Sequence, residues 1–317
     1  MKNNLYKAFD DAIIRILKKH GNSMIFMGAF PKVFEPANFA RFFHDRVFNF
    51  GLAEANLVTA AAGSTVRGKL PFVLGGASFL TGKAWGQIKD MICYPNLNVK
   101  IIGFGSGLSA GQGGVGMHST SDISLMRSIP NMKVFCPADF YQAVKVFDFI
   151  AEDFGPCYVR LFDGEFENIF DEKYELKMVD RIREYGDVSN RADVAVLSHG
   201  RLFSQCLSVV KEFEKDGKSC GLYNFPMINP LDKKTVLEIL RKYKKVFVVE
   251  DHGIGGLYSA VCEVLAESGN EAIGMPHVIV KKIGIDEKFV ESAREEELYK
   301  KYGLDSEGIL KNLNNEI

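Results

Sequence analysis

No Cys-x-x-Cys pair occurs in the sequence: the six cysteines, at positions 93, 136, 157, 206, 220 and 262, are scattered. That argues against a zinc site or a disulfide scaffold and fits a reducing cytoplasm. A charge excess of one sign is missing too. Lys and Arg total 39 against 40 for Asp and Glu, a formal net charge of −1. Bulk electrostatics therefore point to neither a nucleic-acid partner nor an anionic membrane. No apolar run approaches the roughly 20 residues of a membrane helix. The N-terminal "MKNNLYKAFDDAIIRILKKHGN" sets acids among its apolar residues, which predicts an amphipathic helix rather than a signal peptide. What remains is a chain of 317 residues, 47% hydrophobic and 25% charged. That is the balance of a cytoplasmic globular protein with enough length for two domains.

Short β-type runs alternate with helical patterns. Strands are expected at 23–29, 46–50, 71–76, 99–104, 133–137 and 157–161, with helices over 51–63, 77–93, 120–129 and 138–152. After a charged stretch at 163–190, alternation resumes with strands at 194–200, 219–225, 245–251 and 277–284 and helices over 202–215, 231–243 and 256–268. Apolar runs of this length separated by helices predict α/β architecture: two domains, each a mostly parallel sheet flanked by helices. The domains are expected at 1–175 and 191–317, joined by a linker at 176–190.

Within "VFNFGLAEANLVTAAAG" (47–63), Glu54 is the one carboxylate among apolar and small residues. Its helix neighbours at three and four residues, Phe50, Gly51, Leu57 and Val58, offer no cation. A buried carboxylate without a partner is costly. Glu54 must therefore find a donor elsewhere in the protein or meet a ligand that supplies one. "GFGSGLSAGQGGVGMHSTSD" (103–122) follows a strand and ends near His118. Its glycines permit positive φ and close approach to a ligand, and loops at the carboxyl ends of strands bind ligands in open α/β sheets; an ordinary surface loop has the same composition. A dinucleotide fingerprint fails, because no helix opens on the glycines. Asp163–Gly164 and Asn190 mimic the spacing of a magnesium-diphosphate motif, but Phe162 precedes them and the span lies in the linker region. "EDHGIGG" (250–256) reads as a strand-to-helix turn.

"FHDRVFNFGLAEANLV", "FLTGKAWGQIKDMICYPNLNVKIIG", "GMHSTSDISLMRSIPNMKVFCPAD" and "VVEDHGIGGLYSAV" resemble, in this order, the C-terminal half of transketolases, most closely the split kind in which that half is a separate chain. The resemblance implies a pyrimidine-binding domain followed by a transketolase C-terminal domain, with thiamine diphosphate as cofactor. It implies that Glu54 bonds the aminopyrimidine ring and acts catalytically. Phe79 would stack near that ring, with Phe50 and Gly51 beside the cofactor. His118 would act on substrate, and Gly116, Arg160 and Asp163 would line the substrate region. The activity implied is transfer of a two-carbon ketol unit between sugars. The β subunit of a 2-oxo acid dehydrogenase-type decarboxylase and a catalytically degenerate scaffold subunit are the alternatives.

Departures from the family pattern shape the substrate expectation. Gly75–Gly76 replaces a Thr-Phe wall, "GQGGVG" (111–116) lacks the family's acidic pair, and Phe30 replaces an early acid. Asp163 stands about where the family places a phosphate-binding arginine, and a carboxylate repels phosphate. A modified or carrier-linked sugar is therefore expected, and arginine restored at 163 should raise activity on sugar phosphates. No metal ligand is assigned to this chain, because nothing in it convincingly matches the "GDG…N" that holds Mg²⁺ and diphosphate. The resemblance places that motif on a separate N-terminal subunit, in a heterotetramer that also self-associates.

Overall fold

The computed structural model describes residues 3–28, 38–187, 189–268, 277–286 and 288–315, so Phe30 lies outside the described residues. Helix α1 (Leu5–Lys19) starts where the Asn4 side chain accepts from the Lys7 N–H at 2.8 Å, satisfying one orphan donor of the first turn. Leu5, Phe9, Ala12, Ile13 and Ile16 form its buried stripe, as expected of an amphipathic helix. Among the described residues no helix is long and apolar enough to cross a membrane.

Strands β1 (Ser23–Met27), β2 (Val47–Asn49), β3 (Leu70–Gly76), β4 (Lys100–Phe104), β5 (Lys133–Phe135) and β6 (Cys157–Arg160) form a parallel sheet in the order β5-β6-β4-β3-β1-β2. Strands β3, β4 and β6 are buried almost throughout, because helices cover both faces. The short α2 (Asn38–Phe42) precedes β2; α3 (Glu54–Thr65), α4 (Ala77–Lys83), the single turn α5 (Trp85–Gln87) and α6 (Asp122–Arg127) pack on one face, and α7 (Phe140–Glu152) joins α1 on the other. The one helix expected over 77–93 is instead broken after Lys83 and ends in a π-helical turn at Ile88–Cys93.

The second sheet takes β7 (Asp180–Arg183), β8 (Ala192–Ser198), β9 (Cys220–Asn224), β11 (Tyr243–Val249) and β12 (Ile279–Ile283) in the order β12-β11-β8-β9-β7. Among the described residues of this sheet only β7 is antiparallel. It lies in the stretch read from the sequence as connection, where its charges hid it. Helices α8 (Phe203–Lys215) and α12 (Ser306–Asn314) cover one face, α9 (Lys233–Lys242) and α10 (Leu257–Glu267) the other, and α11 (Glu295–Lys301) reaches back toward the first domain. Strand β10 (Met227–Asn229) leaves the second domain and pairs antiparallel with β5, adding a seventh strand to the first sheet. One apolar cluster runs from Leu57, Val73 and Tyr158 through Tyr223 and Val246 to Val261, so the two sheets share a core.

Candidate active site

Parallel strands all present their carboxyl ends on one edge of the sheet, and this edge collects the loops named from the sequence. The β2–α3 turn carries Phe50, Gly51 and Glu54, β3 runs into α4 with Phe79, the loop after β4 carries Gly116 and His118, and β6 ends at Arg160. Phe50 packs on Phe26 with centroids 5.9 Å apart. Gly51 turns at φ 62 with its N–H on Asn49 Oδ1 at 2.8 Å, and the chain then enters α3. Ser78 Oγ donates to the Gly116 carbonyl at 3.1 Å, tying the start of α4, beside Phe79, to the loop of His118.

Glu54 occupies the first turn of α3 and is 5% exposed, where the helix dipole favours a negative charge. Lys83 Nζ lies 3.9 Å from Glu54 Oε2, beyond hydrogen-bond length, and 4.4 Å from the centroid of the Phe79 ring. A nearby positive charge, though not a hydrogen-bond donor, therefore comes from α4. Phe79 and Lys83 are four residues apart on that helix and share its face; that spacing was readable in the sequence once the partner was sought outside α3. A nearly buried carboxylate and a half-buried aromatic ring that share the neighbour Lys83 fit an aminopyrimidine, which offers a ring nitrogen to the acid and a π-face to the phenyl group.

His118 is 8% exposed. Its Nε2 lies 3.1 Å from the Gly111 carbonyl, while Nδ1 is buried without a partner. Of the glycines before it, Gly105, Gly107 and Gly114 take the positive φ expected from the sequence, and two of them also make room for the second domain. A Cβ on Gly107, at φ +60, would stand 1.8 Å from Asp251 Oδ2, and one on Gly111 would stand 2.5 Å from the Ala293 carbonyl. The second domain is what approaches this loop so closely.

Arg160 and Asp163 are both engaged by protein partners. Arg160 is 2% exposed. Its Nε donates to Asp122 Oδ2 at 3.0 Å, Nη1 to Asp251 Oδ1 at 2.9 Å, and Nη2 to the Ser119 carbonyl at 3.3 Å. Tyr158 donates to the same Asp122 at 2.7 Å, and Tyr299 to Asp251 at 3.2 Å. The Arg160 guanidinium thus joins the two domains while almost fully buried. Asp163 accepts from the Tyr6 hydroxyl and, at 3.0 Å, from the Gly105 N–H. Burial pushes its carboxyl up. It anchors α1 to the glycine loop.

"EDHGIGG" is a strand-to-helix turn with more in it. Glu250 accepts from the Leu257 and Tyr258 N–H groups at 2.7 and 3.0 Å, capping α10, while Asp251 and His252 are buried at the domain contact. Asn190 bonds through its N–H to Asp187 Oδ1 at 2.7 Å and takes part in a local turn. Among the described residues no three His, Cys, Asp or Glu side chains converge as a metal-holding group.

Residues 4–166 match the family described as transketolase, pyrimidine binding domain, and residues 187–309 match transketolase, C-terminal domain. A protein of Methanocaldococcus jannaschii described as a transketolase C-terminal section is 34% identical over 314 residues, covering 98% of this chain and 95% of its own length. One subunit of an apulose-4-phosphate transketolase of Actinobacillus succinogenes is 31% identical, covering 86% of each chain. A solved structure described as a split gene transketolase, inactive beta4 tetramer, superposes with a TM-score of 0.86 at 31% identity, over 98% of this chain and 97% of its own. The chain belongs to the transketolase family and spans its pyrimidine-binding and C-terminal domains.

Proposed function

We propose that the chain is the C-terminal subunit of a thiamine-diphosphate-dependent enzyme that transfers a two-carbon ketol unit between sugars, acting on an uncommon sugar. The observation that carries this reading is Glu54, nearly buried at the start of α3, with Lys83 standing between its carboxylate and the Phe79 ring. When thiamine diphosphate is bound, its thiazolium carbon supplies a nucleophile and an electron sink. Glu54 holds or passes a proton at its carboxyl oxygen toward the ring nitrogen. Phe79 orients the ring by stacking, with Phe50 and Gly51 shaping the turn beneath Glu54. His118 offers an imidazole nitrogen to the sugar hydroxyls, and the backbone at Gly116 borders the same space.

The reading gives Mg²⁺ and the diphosphate to an N-terminal partner subunit carrying the GDG motif. It also has the present chain self-associating. The relative named as an apulose-4-phosphate transketolase subunit supports an uncommon sugar and a two-chain enzyme. The inward placement of Arg160 and Asp163 makes neither a phosphate clamp.

Native co-purification tests the reading. It predicts a partner at one-to-one stoichiometry and a complex that binds thiamine diphosphate with Mg²⁺. In that complex Glu54→Gln should lower ketol transfer by about 10²–10⁴-fold with the fold intact. Turnover retained in that variant, or 2-oxo acid decarboxylation without ketol transfer, would overturn it.

A further inference from the structure

The imidazole of His118 has one nitrogen in contact and one bare. A carbonyl oxygen only accepts, so the 3.1 Å contact between Nε2 and the Gly111 oxygen requires the proton to sit on Nε2. In the neutral ring Nδ1 then carries the lone pair, and this is the atom that is buried without a partner.

The Gly111 carbonyl is itself held from the second domain. The Ala293 N–H reaches it at 3.4 Å, and Ser292 Oγ donates to the next carbonyl, Gln112, at 2.6 Å. A Cβ at Gly111 would stand 2.5 Å from the Ala293 oxygen and 3.0 Å from the Glu295 nitrogen, and one at Gly114 would stand 3.3 Å from Ser292 Cβ. Gly114 also accepts the His118 backbone N–H at 3.0 Å. Glu295 is fixed in turn by Arg201 Nε at 3.0 Å. Residues 292–295 therefore press on the loop at three places between Gly111 and Gly114.

We infer that the second domain sets the ring tautomer of His118. Residues 292–295 fix the Gly111 carbonyl, that carbonyl keeps Nε2 protonated, and Nδ1 is left as an acceptor for a hydroxyl donor. Ser292 and Gly111 are positioning residues, with His118 the group they position. The inference rests on the proposed function only for the identity of the donor, a sugar hydroxyl.

Long-range ¹H–¹⁵N spectra of the full chain labelled with ¹⁵N-histidine test it, with the His118 signals assigned by their loss in His118→Gln. The neutral ring is expected as a single Nε2–H tautomer. Gly111→Ala and Ser292→Ala are both expected to populate the Nδ1–H form and, in the complex with its partner, to lower kcat several-fold with cofactor affinity unchanged. Ser292→Ala removes only a surface hydroxyl and serves if Gly111→Ala fails to fold. An Nδ1–H tautomer in the wild type, or an unchanged tautomer in the folded variants, would overturn the inference. If the tautomers respond as expected while His118→Gln turns over normally, the inference stands and the substrate-facing reading of His118 falls.

Discussion

Glu54 and Lys83 stand 3.9 Å apart with side-chain exposures of 6% and 57%. The lysine keeps its hydration, so the pair adds little to stability, while the carboxylate carries the cost of burial. Glu54→Gln is expected to raise stability by about 0.5–2 kcal/mol even as it removes activity. A lowered urea midpoint would instead mark Glu54 as structural. Asp163 has the opposite character. Asp163→Arg strands the Tyr6 hydroxyl and the Gly105 N–H and drives a guanidinium into a half-buried place, with an expected loss on the order of 3 kcal/mol. The gain on sugar phosphates expected from the sequence should therefore not appear; a folded Asp163→Arg variant with raised activity on a sugar phosphate would reverse this assignment. The burial of Glu54 was legible because one acid in an apolar stretch is conspicuous. The buried pairing of Arg160 was not legible, because its partner Asp251 lies 91 positions away and no local pattern shows which charges will meet.

Among the elements, the glycine-dense loop after β4 departs most from its sequence reading. Composition located it correctly after a strand, but Gly107, Gly111 and Gly114 face the second domain. Gly107→Ala would combine a left-handed backbone at φ +60 with a methyl 1.8 Å from Asp251 Oδ2. Strain and overpacking together should cost about 2–4 kcal/mol, readable as a lower denaturation midpoint and weaker cofactor binding by the complex. A variant as stable as the wild type would show that Asp251 can yield. The buried parallel strands were legible as apolar runs, and α1 from its amphipathic pattern. The three-residue β10 and the charged β7 were not, because their pairing is defined by β5 and β9 and not by their own residues. The break after Lys83 was likewise invisible, since apolar spacing alone describes 77–93 as one helix.

For the whole molecule, the contact between the domains buries charged and titratable groups beside the shared apolar core and is sensitive to acid. His252 is fully buried, its Nδ1 3.3 Å from the Gly253 carbonyl and its Nε2 3.7 Å from Asp122. Burial holds its imidazole below the usual 6.5, against the pull of Glu250 and Asp122. A depressed value means the unfolded chain takes up a proton that the native chain refuses. This contribution to stability is complete above about pH 6.5 and is lost as pH falls, by up to about 1.4 kcal/mol per pH unit. Denaturation midpoints measured between pH 8 and 5 should decline less steeply in His252→Gln; parallel slopes would remove His252 from the effect. The same union of domains has a constructive consequence. Because Met227–Asn229 completes the edge of the first sheet, anyone building a chimera with a homologue must transplant that strand along with the first domain. A graft cut between the domains would offer the bare flank of β5 to neighbouring molecules and polymerise instead of folding.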